Sequence, residues 1–356
     1  MFEFTLMDKK RRELYECMWG SAEFDFPVER TLYKGSRTPN SYTFTKTLTE
    51  NGDVCEGICR ERLADLFAIA DKDLFKKKFK QSISGSGQEL KRIATVHSSS
   101  LCALLFFYNV SKENPYTMEI EGEEYIFTYS RFEYQNKVIE GRNPSNIDVV
   151  LVGTKKNTGM PVVFFVESKF SEYFERPEKK LAISTEYLKN EYSEPIYRSS
   201  CMDEMGLHIA ELPDDKNFLL VSDETCYVEG MKQMISHYAG VRNFCDMLKK
   251  KGKVDVGDED NEIAVLYGAK IFLGEILFTK GIGQLSIGNG KKAFDSYREK
   301  YQILAKALNE QLRIDGMSAQ VSVLADILSY SQFQNSSYIK EERIKRFYFE
   351  MGKVNS

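Results

Sequence analysis

The sequence predicts an α/β fold, bordering on α+β, in which helices flank a central mixed sheet and further helical segments lie at both ends of the chain. Stretches of helical periodicity alternate with strand-length runs of β-branched and aromatic residues. Two of those runs, Ile147–Val152 and Val162–Lys169, are too apolar to be half-exposed, which places them at the centre of a sheet covered on both faces. Glycine and proline number only 23 and 8 in 356 residues, below the usual share of ~12%. That argues against a many-turned all-β chain.

Taken in order, Glu13–Trp19 and Glu61–Phe79 read as helices on either side of a Thr/Ser/Asn-rich stretch, Thr38–Asn51. Ser84-Gly85-Ser86-Gly87 breaks the pattern. Gln88–Val110 then reads as one long helix, whose second half, LCALLFFYNV, is apolar nearly all round and so packs on more than one face. Tyr116–Ile120 and Glu124–Tyr129 flank Glu121-Gly122-Glu123, a hairpin connection. Residues 171–215 form an insertion with 11 acids against 5 bases and four tyrosines, Tyr173, Tyr187, Tyr192 and Tyr197. Asn217–Ser222 and Ile263–Phe272 read as strands, and Val228–Lys251 as a helix whose basic last turn suits the helix dipole. Ala293–Leu312 and Val321–Leu328 read as helical. The expected organisation is a mostly helical extension over 1–84, a core over 85–285 interrupted at 171–215, and a C-terminal helical segment over 286–356.

Three polar groups converge on the two buried runs. Asp148 opens the first, after Pro144-Ser145-Asn146-Ile147, and Glu167 and Lys169 close the second. Strand period places Glu167 and Lys169 on one face. If the two strands are hairpin neighbours, the start of the first lies beside the end of the second, and Asp148 stands next to Glu167. Two carboxylates and the Ser168 carbonyl are hard oxygen ligands suited to Mg²⁺, with Mn²⁺ as a substitute. Lys169 is then placed to activate or orient a water, or to neutralise charge on phosphoryl oxygens. A carboxylate beside so apolar a run is costly unless paired or metal-bound. Singly, a Glu-x-Lys pair closes many strands and an Asp after Pro-Ser-Asn caps turns. The spacing that brings all three groups to one edge makes the combination stronger than either part, and on the residues alone the structural reading stands beside the catalytic one.

Asp148, 18 intervening residues and Glu167-Ser168-Lys169 resemble the signature of the PD-(D/E)XK nuclease superfamily, with one departure: Pro144 lies four residues before Asp148 rather than beside it. The resemblance spans about Gly85 to Phe272. It implies a restriction-endonuclease-like core and metal-dependent hydrolysis of phosphodiester bonds, with Asp148, Glu167 and Ser168 on the metal and Lys169 on the water. It also implies an acid on the first core helix, for which Glu89 is the candidate; the alternative is that Glu89 only favours the positive helix N-terminus. A further polar group is implied on the helix after the Glu-x-Lys strand, and Gln233 is the candidate there. His237 shares the helical face of Gln233 and is a candidate supporting or phosphate contact. His97-Ser98-Ser99-Ser100-Leu101 either faces the sheet edge or forms a helix-packing patch, and packing is the favoured of the two.

Other chemistries have little support. The chain has three histidines and no GxSxG, GxxxxGK[ST] or strand-linked GxGxxG. Its seven cysteines form no CxxC pair and no zinc pattern, which fits a reduced, cytoplasmic protein. The longest apolar runs, Leu101–Tyr108 and Pro161–Val166, fall short of the ~18 residues of a membrane span, and no secretory signal is visible, so no membrane partner is expected. The net charge of −4 gives no overall basic footprint. It is unevenly spread, however: residues 71–92 carry +4, 242–256 carry +3, and 171–215 carry −6. Such segregation is compatible with a polyanion on one side and equally with ordinary solvated helix faces. The leading expectation is a Mg²⁺-dependent endonuclease with nucleic acid, DNA first, as its partner; a homodimer is compatible with cutting both strands. The rivals are a catalytically inactive nucleic-acid-binding or scaffold protein of the same fold, and a metal-dependent hydrolase of another phosphate ester.

Overall fold

A computed structural model describes residues 6–19, 26–31, 41–51, 53–84, 89–138, 144–211 and 216–350. Helix α1 (Leu6–Trp19) precedes an antiparallel pair, β1 (Val28–Thr31) and β2 (Ser41–Phe44), and helices α2 (Glu56–Leu66) and α3 (Lys72–Ser82). Short helices α4 (Glu89–Ile93) and α5 (Ser99–Phe107) lead into β3 (Tyr116–Ile120), β4 (Glu123–Asn136), β5 (Ser145–Lys155) and β6 (Pro161–Lys169). Then come α6 (Glu172–Glu175), β7 (Glu178–Ser184), α7 (Glu194–Tyr197), α8 (Ser200–Glu204), β8 (Leu207–Glu211) and β9 (Asn217–Cys226). Helix α9 (Val228–Lys251), the pair β10 (Lys253–Asp255) and β11 (Ala264–Leu266), and β12 (Lys270–Leu277) follow. The remaining elements are α10 (Gly290–Ile314), β13 (Val321–Val323), β14 (Leu328–Ser329) and α11 (Glu342–Lys345).

The central sheet is mixed, as expected. Its order is β3-β4-β5-β6-β12, and both β13 and β14 pair with the outer edge of β12. Strands β3 to β6 are successively antiparallel, whereas β12 runs parallel to β6 and to its two edge partners. The β3–β4 turn has positive φ at Glu121 (54°) and Gly122 (78°), the turn geometry whose twist matches that of the flanking strands. Parallel neighbours need a crossover, and α10 provides one between β12 and β13. Helices cover both faces of β6. Phe165 packs on Phe244 of α9, with ring centroids 5.2 Å apart, while the Ser168 hydroxyl, on the other face, donates to the Ser99 carbonyl of α5.

Four expected elements differ, each for a local reason. Glu61–Phe79 is two helices, because the chain turns at Ala68 (φ 52°) and Asp71 then caps α3 by accepting from the Leu74 N–H at 2.9 Å. The expected helix Gln88–Val110 is broken between α4 and α5. There the backbone pairs with β2 instead, through Phe44 N–H to Ala94 O (3.1 Å) and Val96 N–H to Tyr42 O (3.0 Å), and Ser98 starts α5 by capping Leu101. Residues 85–88, which hold most of the expected breaker, lie outside the described residues, as do residues 38–40. The strand expected over Ile263–Phe272 is split by a turn at Gly268 (φ 95°), and its second part runs on to Leu277. Val321–Leu328 is not helical. Val321 and Val323 flank Ser322 on an edge strand against Ile271–Leu273, and so short a strand has no period to read.

Within and after the acidic insertion, β7, β9 and β8 form a separate antiparallel sheet with β9 in the middle. Helix α9 has the expected bounds and ends on Gly252 in the left-handed region, φ 74°. All seven cysteines are free thiols. No helix among the described residues is long and apolar enough to cross a membrane.

Candidate active site

The pairing of β5 with β6 ends at Val149 opposite Val166, so the next step of the register places Asp148 across from Glu167. The Ser168 backbone N–H donates to Asp148 Oδ2 at 2.7 Å, and Lys169 Nζ donates to Glu167 Oε1. The two carboxylates are thus neighbours at one sheet edge. On the far side of β6, Glu275 of β12 is in register with Glu167. On the far side of β5, Phe132 pairs with Val149 and Tyr134 with Ile147, which leaves Glu133 across from Asp148. Glu133 has φ 49°, a left-handed conformation that interrupts the ladder at this step and is strained for a side-chain-bearing residue. Four acids, Glu133, Asp148, Glu167 and Glu275, therefore occupy successive strands.

A cleft of about 320 Å³ opens onto this edge, and Glu89, Asp148, Glu167, Ser168, Lys169 and Gln233 all line it. Their roles differ in what each presents. The Ser168 hydroxyl is turned to the opposite face, against the Ser99 carbonyl (3.1 Å) and the Tyr330 hydroxyl (2.8 Å), so only its backbone serves the site. The Gln233 side-chain oxygen is buried without a hydrogen-bond partner among the described residues. His237 lies closer to the carboxylates than Gln233's ranking as the main helical candidate implies. Its Nε2 is 2.9 Å from Glu167 Oε2 and its Nδ1 is 2.8 Å from Ser145 Oγ. The Nε2–Oε2 contact lacks hydrogen-bond alignment, leaving both atoms without an aligned partner, so it acts as an electrostatic contact. His97, expected to be a packing residue, also lines the cleft, and burial pushes its imidazole down to about 4.

The row of acids is unevenly compensated. Burial pushes the Glu167 carboxyl up, but Lys169 and His237 outweigh it and hold it down at about 2. Burial and the Glu167 charge hold Asp148 well above the usual carboxylate range, against Lys169 and the Ser168 N–H. Burial together with Glu89 and Glu167 pushes Glu133 up to about 8. Burial does the same to Glu275, also to about 8, although the Tyr297 hydroxyl donates to its Oε2 at 2.7 Å. Lys169 is buried, yet Glu167, Tyr227 and Asp148 keep its ammonium well above the ordinary lysine range.

No group of three or more His, Cys, Asp or Glu among the described residues is arranged to hold a metal ion. Mg²⁺, however, is usually held by one or two carboxylates together with waters and substrate phosphates. Asp148 and Glu167 form such a pair. The buried Glu167 Oε2 without an aligned partner and the uncompensated charge next to Asp148 fit a hard divalent cation.

Residues 37–261 match the family model described as "Restriction Endonuclease associating with ARP". The chain belongs to this restriction-endonuclease family. No curated protein and no solved structure matches it. The family match takes in Glu89, Asp148, Glu167, Ser168, Lys169 and Gln233 and stops short of β12. Membership in a restriction-endonuclease family supports nuclease function.

Two acids of the row, Glu275 and Glu133, carry little signal in the sequence. Glu275 is a lone acid in the apolar run KIFLGEILF, which is the one signal that marks it. Glu133 sits in SRFEYQN, where polar residues alternate with aromatics and nothing distinguishes it.

Proposed function

We propose that this chain is a metal-dependent nuclease that hydrolyses phosphodiester bonds, in DNA, by the PD-(D/E)XK mechanism. The observation that carries the proposal is the pairing of Asp148 with Glu167 at one strand edge, one held by the Ser168 N–H and the other by Lys169. Asp148 and Glu167, with the Ser168 carbonyl, would hold Mg²⁺ or Mn²⁺, which when bound supplies Lewis-acid activation of water and neutralises phosphoryl charge. Lys169 remains an ammonium, so it acts as a fixed positive charge that orients Glu167 and faces charge building on the phosphate, and not as a proton acceptor. Ser168 fixes Asp148 through its backbone, and the imidazole of His237 steadies Glu167 from α9. Glu89 and Gln233 complete the polar lining in supporting roles. The family description associates these endonucleases with ARP, and the proposal extends that association to this chain.

The test is cleavage of duplex DNA, single-stranded DNA, RNA and small phosphoesters with Mg²⁺, Mn²⁺ or EDTA. Divalent-dependent cutting of DNA, lost in a folded Lys169→Ala variant, is the expected result. Cutting by that variant at the wild-type rate overturns the role of Lys169. Binding without cleavage under every condition replaces the proposal with an inactive nucleic-acid-binding protein of the same fold.

A further inference from the structure

The acidic insertion begins at the edge of the cleft and carries one cation into it. Arg176 directly follows α6, soon after Lys169, and lines the same cleft. Glu172, Glu175 and Glu229 all act on it electrostatically. Even so, the Arg176 guanidinium makes no hydrogen bond or ion pair among the described residues; only its backbone N–H is engaged, donating to the Glu172 carbonyl at 2.9 Å. The neighbouring acids are engaged elsewhere. Glu175 accepts from Arg11 Nε and Ser171 Oγ, each at 2.6 Å. Glu172 Oε2 accepts from the Phe170 and Ser171 N–H groups at 2.7 and 3.0 Å. Glu178 Oε1 accepts from the Glu229 N–H at 3.1 Å. Glu229 lines the cleft as well, beyond ion-pair distance. Arg11 on the same wall is neutralised by Glu175; Arg176 is not.

A guanidinium presents five donors in a rigid plane suited to two phosphate oxygens at once. Keeping such a group half-buried with no acceptor is unfavourable unless a ligand provides one. Lys232 of α9 lines the cleft as well, its Nζ 5.2 Å from the centre of the Tyr187 ring. We infer that Arg176 anchors a backbone phosphate of the nucleic acid beside the one that reacts at Asp148 and Glu167. This inference rests on the nuclease reading and adds to it the group that positions the strand.

The test is binding of a short fluorescein-labelled DNA duplex, and of its single strand, followed by anisotropy in Ca²⁺ over a range of salt concentrations. Arg176→Gln is expected to weaken binding at least about tenfold, the loss of one charged hydrogen-bonding contact. The slope of log affinity against log salt should fall by about 0.9 on the duplex and 0.7 on the single strand. Arg176→Lys should keep the slope and lose part of the affinity. Wild-type affinity and slope in Arg176→Gln overturn the inference. Should that variant unfold, Arg176→Lys decides: weaker binding sustains the anchor, and wild-type affinity overturns it. If the wild-type protein binds neither DNA, the nuclease reading fails separately and pyrophosphate becomes the probe. Thermal stabilisation of the wild type but not of Arg176→Gln then sustains an anion site, whereas equal shifts, or none, overturn it.

Discussion

Two acids, buried Glu175 and half-buried Asp148, meet their charge in opposite ways. Glu175 accepts from Arg11 of α1 and from Ser171, and despite burial it is held down at about 2. Asp148 accepts from one backbone N–H, sits beside anionic Glu167, and is pushed well up. The fully compensated carboxylate ties α1 to α6 and is structural. The under-compensated one leaves room for an incoming cation. The deficit of positive charge beside Asp148 is what the proposed cation would meet.

The contrast yields graded predictions. Lys169→Ala removes the ammonium bonded to Glu167 and should lower cleavage by on the order of 10³–10⁴-fold, about 4–5 kcal/mol of barrier, in protein that circular dichroism shows to be folded; because the pair is buried, the unfolding midpoint should fall as well. Retained cleavage would place Lys169 with the structural ion pairs. Glu175→Gln removes the charge that the buried Arg11 meets at 2.6 Å, so it should destabilise the fold by about 3–5 kcal/mol in denaturant titrations. The Glu175 contribution is fully present above its ordinary value of 4.5 and is lost as the pH falls through about 2.

Mg²⁺ at a hundredfold excess over its dissociation constant should stabilise the wild type by about 2.7 kcal/mol. Asp148→Asn should abolish that shift, and an equal shift in both proteins would remove Asp148 from the cation site. The smallest effect per step of the titration belongs to Glu275. In EDTA, between its ordinary value of 4.5 and about 8, the unfolded chain releases a proton that the native carboxyl keeps, so stability should fall with rising pH, by up to ~1.4 kcal/mol per unit. Glu275→Gln should flatten that slope.

Asp148, Glu167 and Lys169 are legible in the sequence because their arrangement depends on local rules. Strand alternation puts Glu167 and Lys169 on one face, and a short hairpin brings Asp148 alongside. Glu275 depends on a parallel pairing between β6 and a strand far along the chain, which no local pattern records. The unbroken helix expected over Gln88–Val110 followed from the apolarity of LCALLFFYNV; Ser98-Ser99-Ser100 was the cap signal that divides it. His97 lies within that break, between α4 and α5, and lines the cleft. Arg176 is one of five bases in an acid-rich stretch, and its isolation emerges only once the partners of Glu172, Glu175 and Glu178 are known.

The two neighbours of β6 also set an order of assembly. The β5–β6 hairpin closes over a five-residue connection, residues 156–160, and hairpins form within about 1–10 μs. Strand β12 joins the other side only after the insertion and α9 have been placed, and such distant parallel pairing is slow. The carboxylate pair therefore rests on the more local of the two pairings. A chain in which β12 had not docked would hold both acids side by side with one flank still wet.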